Sequence, residues 1–196
     1  MKQSQDRRAA AFLRHEGVIP DIMVLGKGLT GGYIPLALTL ICEKAFSAFN
    51  GSVADGRALA YGHSYAANAL GCAAAKTSIE IFENERVLEA LQPKIRYLSS
   101  ALPSLKELSG VKEVRQFGFI AGIELEPPGM AAAVCIEARR HGLLTRPIWN
   151  VVVLMPPLCI TMAQLRKAVE ALRASIIEVW RCSNASGRED AKEVTA

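Results

Sequence analysis

Apolar residues in the first half of the chain form two short runs around a glycine-rich turn. The run Ile22–Leu25 is followed by glycines at positions 26, 28, 31 and 32 and then by Pro35–Cys42. This order predicts two buried strands that flank a tight loop. Apolar positions 45, 46 and 49 then predict a short helix that ends before Asn50-Gly51.

The spacing becomes helical after residue 68. A buried helix over residues 68–82 is indicated by apolar and small residues three or four positions apart, at Leu70, Ala73, Ala74, Thr77 and Ile81. Residues 85–108 continue the helical pattern. Pro93 must begin a new helix or kink the existing one there, because proline lacks the amide hydrogen and clashes with the preceding turn.

The second half of the chain predicts a small α+β unit. Residues 111–117 and 119–125 read as consecutive strands about Gly118, and residues 131–140 as a helix that stops at Gly142. Two more strands follow over 143–148 and 151–155. Thr161 and Gln164 have the spacing of a capping box, which opens a last helix that runs to about Trp180.

These elements predict an α/β protein in four parts. Residues 1–19 are an atypical N-terminal segment, and residues 20–108 hold too few strands for their helices, so they resemble part of a larger domain. Residues 109–182 form a C-terminal small domain with the order ββαββα. The polar residues 183–196 are expected to be a disordered tail.

Composition and charge narrow the class of protein. The chain has 196 residues, of which 51% are hydrophobic and 21% charged, as expected for a globular protein of one domain or slightly more. Its longest apolar stretch, Ile34–Cys42, is too short to span a membrane, and the charged start does not resemble a secretory signal. We therefore expect a cytoplasmic protein that does not bind membranes.

Nucleic acids and metals are not expected as ligands. The net charge of +4 is spread along the chain, and no basic run is interleaved with aromatic residues, so nucleic acid binding is not indicated. The five cysteines are odd in number and widely spaced, without a C-x-x-C pair. This pattern predicts reduced thiols and argues against a zinc site.

Lys27 is the first candidate for chemistry, because it lies between two glycines at the end of an apolar strand. A Walker-type phosphate loop would need Ser or Thr after the lysine and a glycine five positions before it, but Gly28 and Ile22 occupy those positions. A lysine in an apolar pocket can lose its proton and attack an aldehyde to form a Schiff base. A solvated turn lysine is the alternative.

Two further polar features carry weaker signals. Arg146 interrupts an apolar strand, and its planar guanidinium suits a carboxylate, although pairing with a nearby Glu or exposure at a strand edge would also explain it. The turn Gly62-His63-Ser64-Tyr65 precedes the helix that opens at Asn68, and turn amides at such positions bind phosphate readily. A bare connection, with His63 as a hydrogen-bonding loop residue, is the alternative there.

Taken together, four segments resemble the class III pyridoxal-phosphate aminotransferases. They contain the motifs GKGLTGG, YGHSYAANALG, FGFIAGIEL and LLTRP and cover residues 15–40, 61–83, 114–125 and 138–158. Within this class they are most similar to the aminotransferases of biotin synthesis. The resemblance runs in order from about Arg14 to Val179. It identifies the chain as a C-terminal portion of such an enzyme, with residues 20–108 as a remnant of the large domain, a truncated mixed sheet with helices.

The resemblance implies a cofactor, substrates and roles for five residues. Lys27 would form the Schiff base with pyridoxal 5'-phosphate and move the proton between substrate and cofactor. Gly62, His63 and Ser64 match a turn that supports the cofactor phosphate and the substrate across a dimer interface, and Arg146 matches the arginine that holds the carboxylate of 8-amino-7-oxononanoate. The amino donor would be S-adenosylmethionine, and a homodimer is implied for the full-length family.

Departures from the family pattern leave three hypotheses open. The family's phosphate loop, ring-stacking aromatic residue and ring-nitrogen aspartate precede the lysine and are not in this chain. Trp149 stands where glycine is more usual, and Ala69 where proline is common. The chain is accordingly a biotin-pathway aminotransferase that is inactive in isolation, a non-catalytic remnant that pairs with a complementary N-terminal chain, or another class III enzyme acting on an ω-amino acid.

Overall fold

The computed structural model describes residues 17–59 and 61–193, so most of the predicted segment 1–19 lies outside the described residues. The chain divides into two compact units, Met1–Glu85 and Arg86–Ala196. The sequence predicts a domain boundary near residue 108, whereas the helices between residues 87 and 107 belong to the second unit. Their apolar side chains, including Leu98 and Leu105, are buried in that unit's core, which explains the earlier boundary.

The N-terminal unit is built on a two-stranded antiparallel sheet. Strand β1 (Ile22–Leu25) pairs with β2 (Leu38–Ile41), with Ile22 opposite Ile41 and Leu25 opposite Leu38. The prediction that both strands are buried is wrong, since Ile22 is 58% and Val24 66% exposed. Two strands leave too little structure on either face to exclude water.

Two helices complete the described part of this unit. Helix α1 spans Glu43–Phe49 and α2 spans Ala69–Asn84, both where the sequence predicts them. Helix α2 packs against a short 3-10 turn over Lys27–Thr30. Only Gly71 and Ala75 of α2 are buried, so the predicted burial of this helix is confined to its small-residue face.

The C-terminal unit contains the predicted ββαββα order. Helix α3 (Val87–Ala101) and a 3-10 turn (Leu102–Glu107) precede it, and its elements are β3 (Val111–Phe117), β4 (Ile120–Leu125), α4 (Met130–Arg140), β5 (Arg146–Ile148), β6 (Val151–Leu154) and α5 (Met162–Glu193). The four strands form an antiparallel sheet in the order β3-β4-β6-β5, which makes β5 an edge strand.

The core of this unit lies on one face of its sheet. Burial alternates along β4, where Ile123 and Leu125 are fully buried, and Ile123 stands opposite the buried Val152 of β6. Such alternation is typical of an antiparallel sheet with one covered face. Helix α5 contributes Leu165, Val169, Leu172 and Ile176 to the same core, at helical spacing.

Local sequence signals set the end of α4 and the start of α5. Gly142 stops α4 with φ +79°, a left-handed conformation that favours glycine. The Thr161 hydroxyl accepts a hydrogen bond from the Gln164 amide at 3.2 Å, and the Gln164 side chain accepts one from the Thr161 amide at 2.9 Å, so the predicted capping box is confirmed.

Pro93 and the end of the last helix both bear on the predicted helix boundaries. Of the two alternatives predicted at Pro93, a new helix does not begin there: Pro93 lies inside α3 and leaves the carbonyl of Glu89 without its usual helical donor. Helix α5 does not end near Trp180 but continues to Glu193, through residues expected to form a disordered tail. The segment after Trp180 contains no proline, so nothing in the backbone chemistry forces the helix to stop there.

Within residues 17–59 and 61–193, none of the helices combines the length and the apolar character that a membrane span requires.

Candidate functional site

The glycine-rich loop holds Lys27 in an unusual backbone conformation. Lys27 has φ +28°, a positive backbone angle that residues other than glycine rarely adopt. Hydrogen bonds fix the turn on both sides, from the Leu29 amide to the Gly26 carbonyl at 3.0 Å and from the Gly32 amide to the Lys27 carbonyl at 3.2 Å. The local strain at Lys27 is therefore maintained by the loop, as is common at functional residues.

Thr30 anchors this loop to the chain that follows. Its side chain is only 2% exposed, and its hydroxyl donates to the Ile34 carbonyl at 2.6 Å. Gly31 and Gly32 have φ values of +63° and +85°, which let the chain reverse between these two residues. The sequence motif GLTGG thus forms a fixed turn directly after Lys27, and the motif alone does not reveal this role of Thr30.

The turn before α2 is ordered by its own side chains. The Tyr65 amide donates to His63 Nδ1 at 3.1 Å, and the Ala66 amide donates to the His63 carbonyl at 2.9 Å. Asn68 caps α2, because its side-chain oxygen accepts a hydrogen bond from the Leu70 amide at 3.3 Å. An Nδ1 that accepts a hydrogen bond leaves Nε2 as the donor of the neutral His63 ring.

Lys27 and His63 line the same cavity of the N-terminal unit. The cavity has a volume of about 920 Å³ and is open to solvent. Its other lining residues include Gly26, Pro35, Leu36, Tyr65 and Asn68, which make the walls largely apolar. Gly62 and Ser64 flank His63 in the chain but do not line the cavity. Tyr65, the last residue of the predicted turn, also lines the cavity, although the sequence assigned it no role.

Lys27 is not enclosed by the part of the chain that the structure describes. Its side chain is exposed, and the predicted apolar pocket is replaced by an open, apolar-walled cavity. The two-stranded sheet is too small to cover the loop from outside. What the cavity offers is a primary amine and an imidazole donor, with no carboxylate among its lining residues.

The turn at residues 62–64 also presents backbone donors. None of the described residues accepts a hydrogen bond from the amides of Gly62, His63 or Ser64. Amides without an internal acceptor can donate to an anionic ligand oxygen. Of these three residues, His63 lines the cavity that contains Lys27, so the turn contributes to that cavity through His63.

Arg146 belongs to the C-terminal unit. It is the first residue of the edge strand β5, opposite Val153, and its side chain is exposed. No carboxylate among residues 17–59 and 61–193 pairs with it, so the hypothesis of a structural Arg–Glu pair is not supported there. The preceding Thr145 donates a hydrogen bond to the Val153 carbonyl, which fixes the strand beside the guanidinium.

Trp149 lies in the tight turn that joins β5 and β6. It is 95% exposed and has φ +55°. This conformation explains why glycine would be favoured at the position. The following Asn150 accepts a hydrogen bond from the Gly129 amide through its side chain at 3.2 Å, so the turn is tied to the start of α4.

Comparison with known proteins identifies the fold and the family. The family model described as Aminotransferase class-III matches residues 10–176. An adenosylmethionine-8-amino-7-oxononanoate aminotransferase from Nitratidesulfovibrio vulgaris is 44% identical over 175 residues, which are 84% of this chain and 32% of that protein. A protein of the same name from Anoxybacillus flavithermus is 42% identical, over 85% of this chain and 39% of its own length.

Solved structures agree with these relatives. A crystal structure of the adenosylmethionine-8-amino-7-oxononanoate aminotransferase from Methanocaldococcus jannaschii superposes with a TM-score of 0.78 at 41% identity, covering 85% of this chain and 40% of that one. A PLP-bound amine transaminase from an uncultivated Pseudomonas species has a TM-score of 0.73 at 31% identity, covering 85% of this chain and 40% of that one. These matches confirm the expected α/β class.

The chain spans about a third to two fifths of the length of these curated relatives. Its match to the family model includes the Lys27 loop, the turn at residues 62–65 and the strand that begins at Arg146. Together with relatives above 40% identity, this match shows that the chain belongs to the class-III aminotransferase family.

Proposed function

We propose that this chain is the portion of a biotin-pathway aminotransferase that carries the reactive lysine and the C-terminal small domain. The single observation that carries the proposal is that Lys27, in a strained glycine loop, shares one apolar-walled cavity with His63. An exposed amine on an ordinary surface loop would need neither feature. The names of the relatives supply the reaction, amino-group transfer from S-adenosylmethionine to 8-amino-7-oxononanoate to give 7,8-diaminononanoate.

The residues present fit two ends of pyridoxal 5'-phosphate. The Lys27 amine suits an aldehyde, and the unpaired amides of residues 62–64, with the Ser64 hydroxyl, suit a phosphate. When bound, pyridoxal phosphate supplies an aldehyde and an electron-withdrawing ring that carries the amino group. The cavity lining provides no carboxylate for the ring nitrogen, so that contact is left to residues outside the described part of this chain.

Each site residue then has a defined task. Lys27 would hold the cofactor by condensing its amine with the aldehyde, with loss of water, and would then be placed to move a proton to and from the substrate carbon. His63, as an Nε2 donor, and the neighbouring Gly62 and Ser64 would orient the phosphate and the substrate, in a dimer from the neighbouring copy. Arg146 holds the substrate carboxylate through two parallel hydrogen bonds.

We propose further that the chain alone has essentially no transaminase activity. The cavity is open, and a cofactor that lacks ring contacts is poorly oriented. A misplacement of about 1 Å can reduce a rate by about 100-fold. The relatives contain a further portion that this chain does not match. Activity would return when an equivalent portion is supplied, in the same chain or as a complementary N-terminal chain.

The test is to label the cofactor site chemically. The chain is mixed with pyridoxal phosphate, with and without such an N-terminal fragment, and treated with borohydride, which fixes the cofactor on the lysine that bound it. We expect the label on Lys27 and its loss in Lys27→Ala, while Lys76→Ala, a change at an exposed lysine of α2, retains it. Label on Lys76 or Lys94 in the unmodified chain would contradict the assignment.

Substrate assignment needs a separate measurement. In a reconstituted enzyme, Arg146→Lys should raise the KM for 8-amino-7-oxononanoate more than it disturbs cofactor labelling, because lysine cannot form the bidentate contact. An equal KM would remove Arg146 from the site. Profiling of amino donors distinguishes the biotin-pathway enzyme, which should use S-adenosylmethionine, from an enzyme for ω-amino acids. Reconstitution that yields cofactor labelling but no turnover with any donor would favour a non-catalytic remnant.

A further inference from the structure

A cluster of three metal-ligating side chains lies in the C-terminal unit and has no part in the proposed reaction. Glu137 of α4 and His141, which ends that helix, are four residues apart and therefore lie on one helix face. Glu178 of α5 meets them from the neighbouring helix, at 3.3 Å from His141 Nε2. We propose that Glu137, His141 and Glu178 bind a divalent transition-metal ion of the Zn²⁺ class.

The spacing of the donor atoms suits such an ion. One ligand atom from each residue can be chosen so that all three lie within 4.8 Å of one another, and His141 Nε2 is 3.8 Å from Glu137 Oε1. Zinc binds carboxylate oxygen and imidazole nitrogen at about 2.0–2.1 Å, so neighbouring ligands of a tetrahedral ion lie about 3.3–3.4 Å apart. Side-chain adjustments that shorten these separations by up to about 1.5 Å close the site.

The backbone around the cluster is fixed. Helix α4 packs against α5, and Ala138, between the two α4 ligands, is fully buried. The His141 amide donates to the Ala138 carbonyl at 3.2 Å, and the Leu143 amide donates to the same carbonyl at 2.8 Å. The two helix surfaces therefore bring the three ligands together without a loop rearrangement, which lowers the entropic cost of binding.

The charge of the cluster favours a cation. Two carboxylates face one imidazole, and Arg140 contacts Glu137 through the other carboxylate oxygen, Oε2, at 3.1 Å. Glu137 Oε1 and Glu178 Oε2 are left facing His141. A divalent ion would neutralise both carboxylates and accept the imidazole lone pair.

The donor set also selects the class of metal. One nitrogen and two oxygens suit Zn²⁺, and Co²⁺ as its spectroscopic substitute, better than Mg²⁺ or Ca²⁺, which prefer oxygen ligands alone. Three protein ligands leave a fourth position for water. With one ligand on α5 and two on α4, the bound ion would join the end of α4 to α5 and stabilise the folded C-terminal unit. This inference does not depend on the proposed transaminase function.

The test uses Zn²⁺ and Co²⁺ with the full chain at a fixed pH, because the protonation of metal ligands makes binding depend on pH. One equivalent of Zn²⁺ should bind in competition with a chromogenic chelator and raise the unfolding temperature. Glu178→Gln and His141→Asn should each weaken binding by about ten-fold or more, since each removes one of three ligands. His63→Asn, a change at a histidine of the other unit, is the matched control and should leave this binding unchanged.

Two further measurements distinguish this three-residue site from metal binding by other side chains. Arg140→Gln should tighten Zn²⁺ binding, because it removes a cation that competes for Glu137. Bound Co²⁺ should lack the near-ultraviolet band of sulfur ligation, which excludes the chain's five cysteines as ligands. Zinc binding that is unaffected by Glu178→Gln and His141→Asn in variants with parental circular dichroism would overturn the proposal. So would a sulfur band, or the absence of binding, which would leave the cluster as a set of ion pairs only.

Discussion

The two units of this chain differ in how much of their apolar surface they bury. Among the described residues, every buried hydrophobic side chain except Ala75 lies in the C-terminal unit. The N-terminal unit exposes large apolar residues, including Ile19 at 95% and Tyr33 at 90%. The chemistry proposed for Lys27 therefore lies on the unit with the smaller core, and the unit with the complete core supplies Arg146. A sheet with one fully covered face can be stable alone, whereas a two-stranded sheet needs additional layers.

The largest expected difference is in amide hydrogen exchange. Amides of β4 and α5, which are surrounded by the core, should exchange only through global opening of the C-terminal unit, and those of β1 through local opening. We expect at least about 1,000-fold slower exchange in β4 than in β1, measured by mass spectrometry of peptides. Equal protection of the two strands would show that the N-terminal unit is stabilised by contacts that its exposure does not indicate.

Core truncation should sharpen the same comparison. Ile123→Ala removes a fully buried side chain of β4 and should lower the free energy of unfolding by about 2–5 kcal/mol. Val24→Ala, in the exposed β1, should change it by less than about 0.5 kcal/mol. Both tryptophans, Trp149 and Trp180, lie in the C-terminal unit, so their fluorescence during urea unfolding measures the effect of Ile123→Ala, and far-ultraviolet circular dichroism of the whole chain measures that of Val24→Ala. A reduced effect of Ile123→Ala would mean that the unit is already loosely packed.

A smaller effect is expected at the turn between β5 and β6. Trp149→Gly should stabilise the C-terminal unit by about 1 kcal/mol, because glycine adopts the observed positive φ without steric cost. The control is Trp149→Ala, which removes the same indole but retains a Cβ, so it should give little or no gain. The comparison of their unfolding temperatures isolates the backbone contribution, and equal values for both variants would contradict it.

The smallest expected effect concerns acid stability. Hydrogen bonds from Lys112 and Arg115 lower the pKa of Glu124 on β4. This pKa is lower in the folded chain than in the unfolded one. The ionised Glu124 carboxylate therefore stabilises the fold at pH values above the unfolded pKa, and this stabilisation is lost as the pH falls through the folded pKa. Glu124→Gln should therefore reduce the loss of stability between about pH 5 and pH 3. Thermal melts over that range provide the measurement, with Glu107→Gln, a change at an exposed glutamate of the same unit, as the control.

The sequence predicts local features well wherever backbone chemistry decides them. Gly142 ends α4 and Thr161 with Gln164 opens α5, because both signals act within a few residues. The turn after Lys27 likewise follows from its glycines. Burial cannot be predicted in this way, because an apolar strand has the same sequence pattern whether or not other layers cover it. For this reason Ile22 and Val24 have the pattern of core residues in the sequence and lie exposed in the structure.

The structure brings together two of the five predicted site residues, and their surroundings could not be predicted from the sequence. Lys27 and His63 could be selected from their motifs, and they line one cavity. The exposure of Lys27 and the role of Thr30 could not, because both depend on how distant segments pack. The cluster of Glu137, His141 and Glu178 was missed entirely. Glu178 follows His141 by 37 positions in the sequence, and the packing of α4 on α5 brings the two side chains together.

The left-handed backbone at Lys27 makes position 27 a place where folding and the proposed reactivity have opposite preferences. Glycine would fit φ +28° with less strain than lysine, so Lys27→Gly should yield a chain at least as stable as the parent while removing the amine. A protein engineer could use this substitution to obtain an inert scaffold. For evolution, it implies that once the amine is no longer needed, drift at this position has no folding barrier to oppose it, and the reactive residue would be lost before the fold.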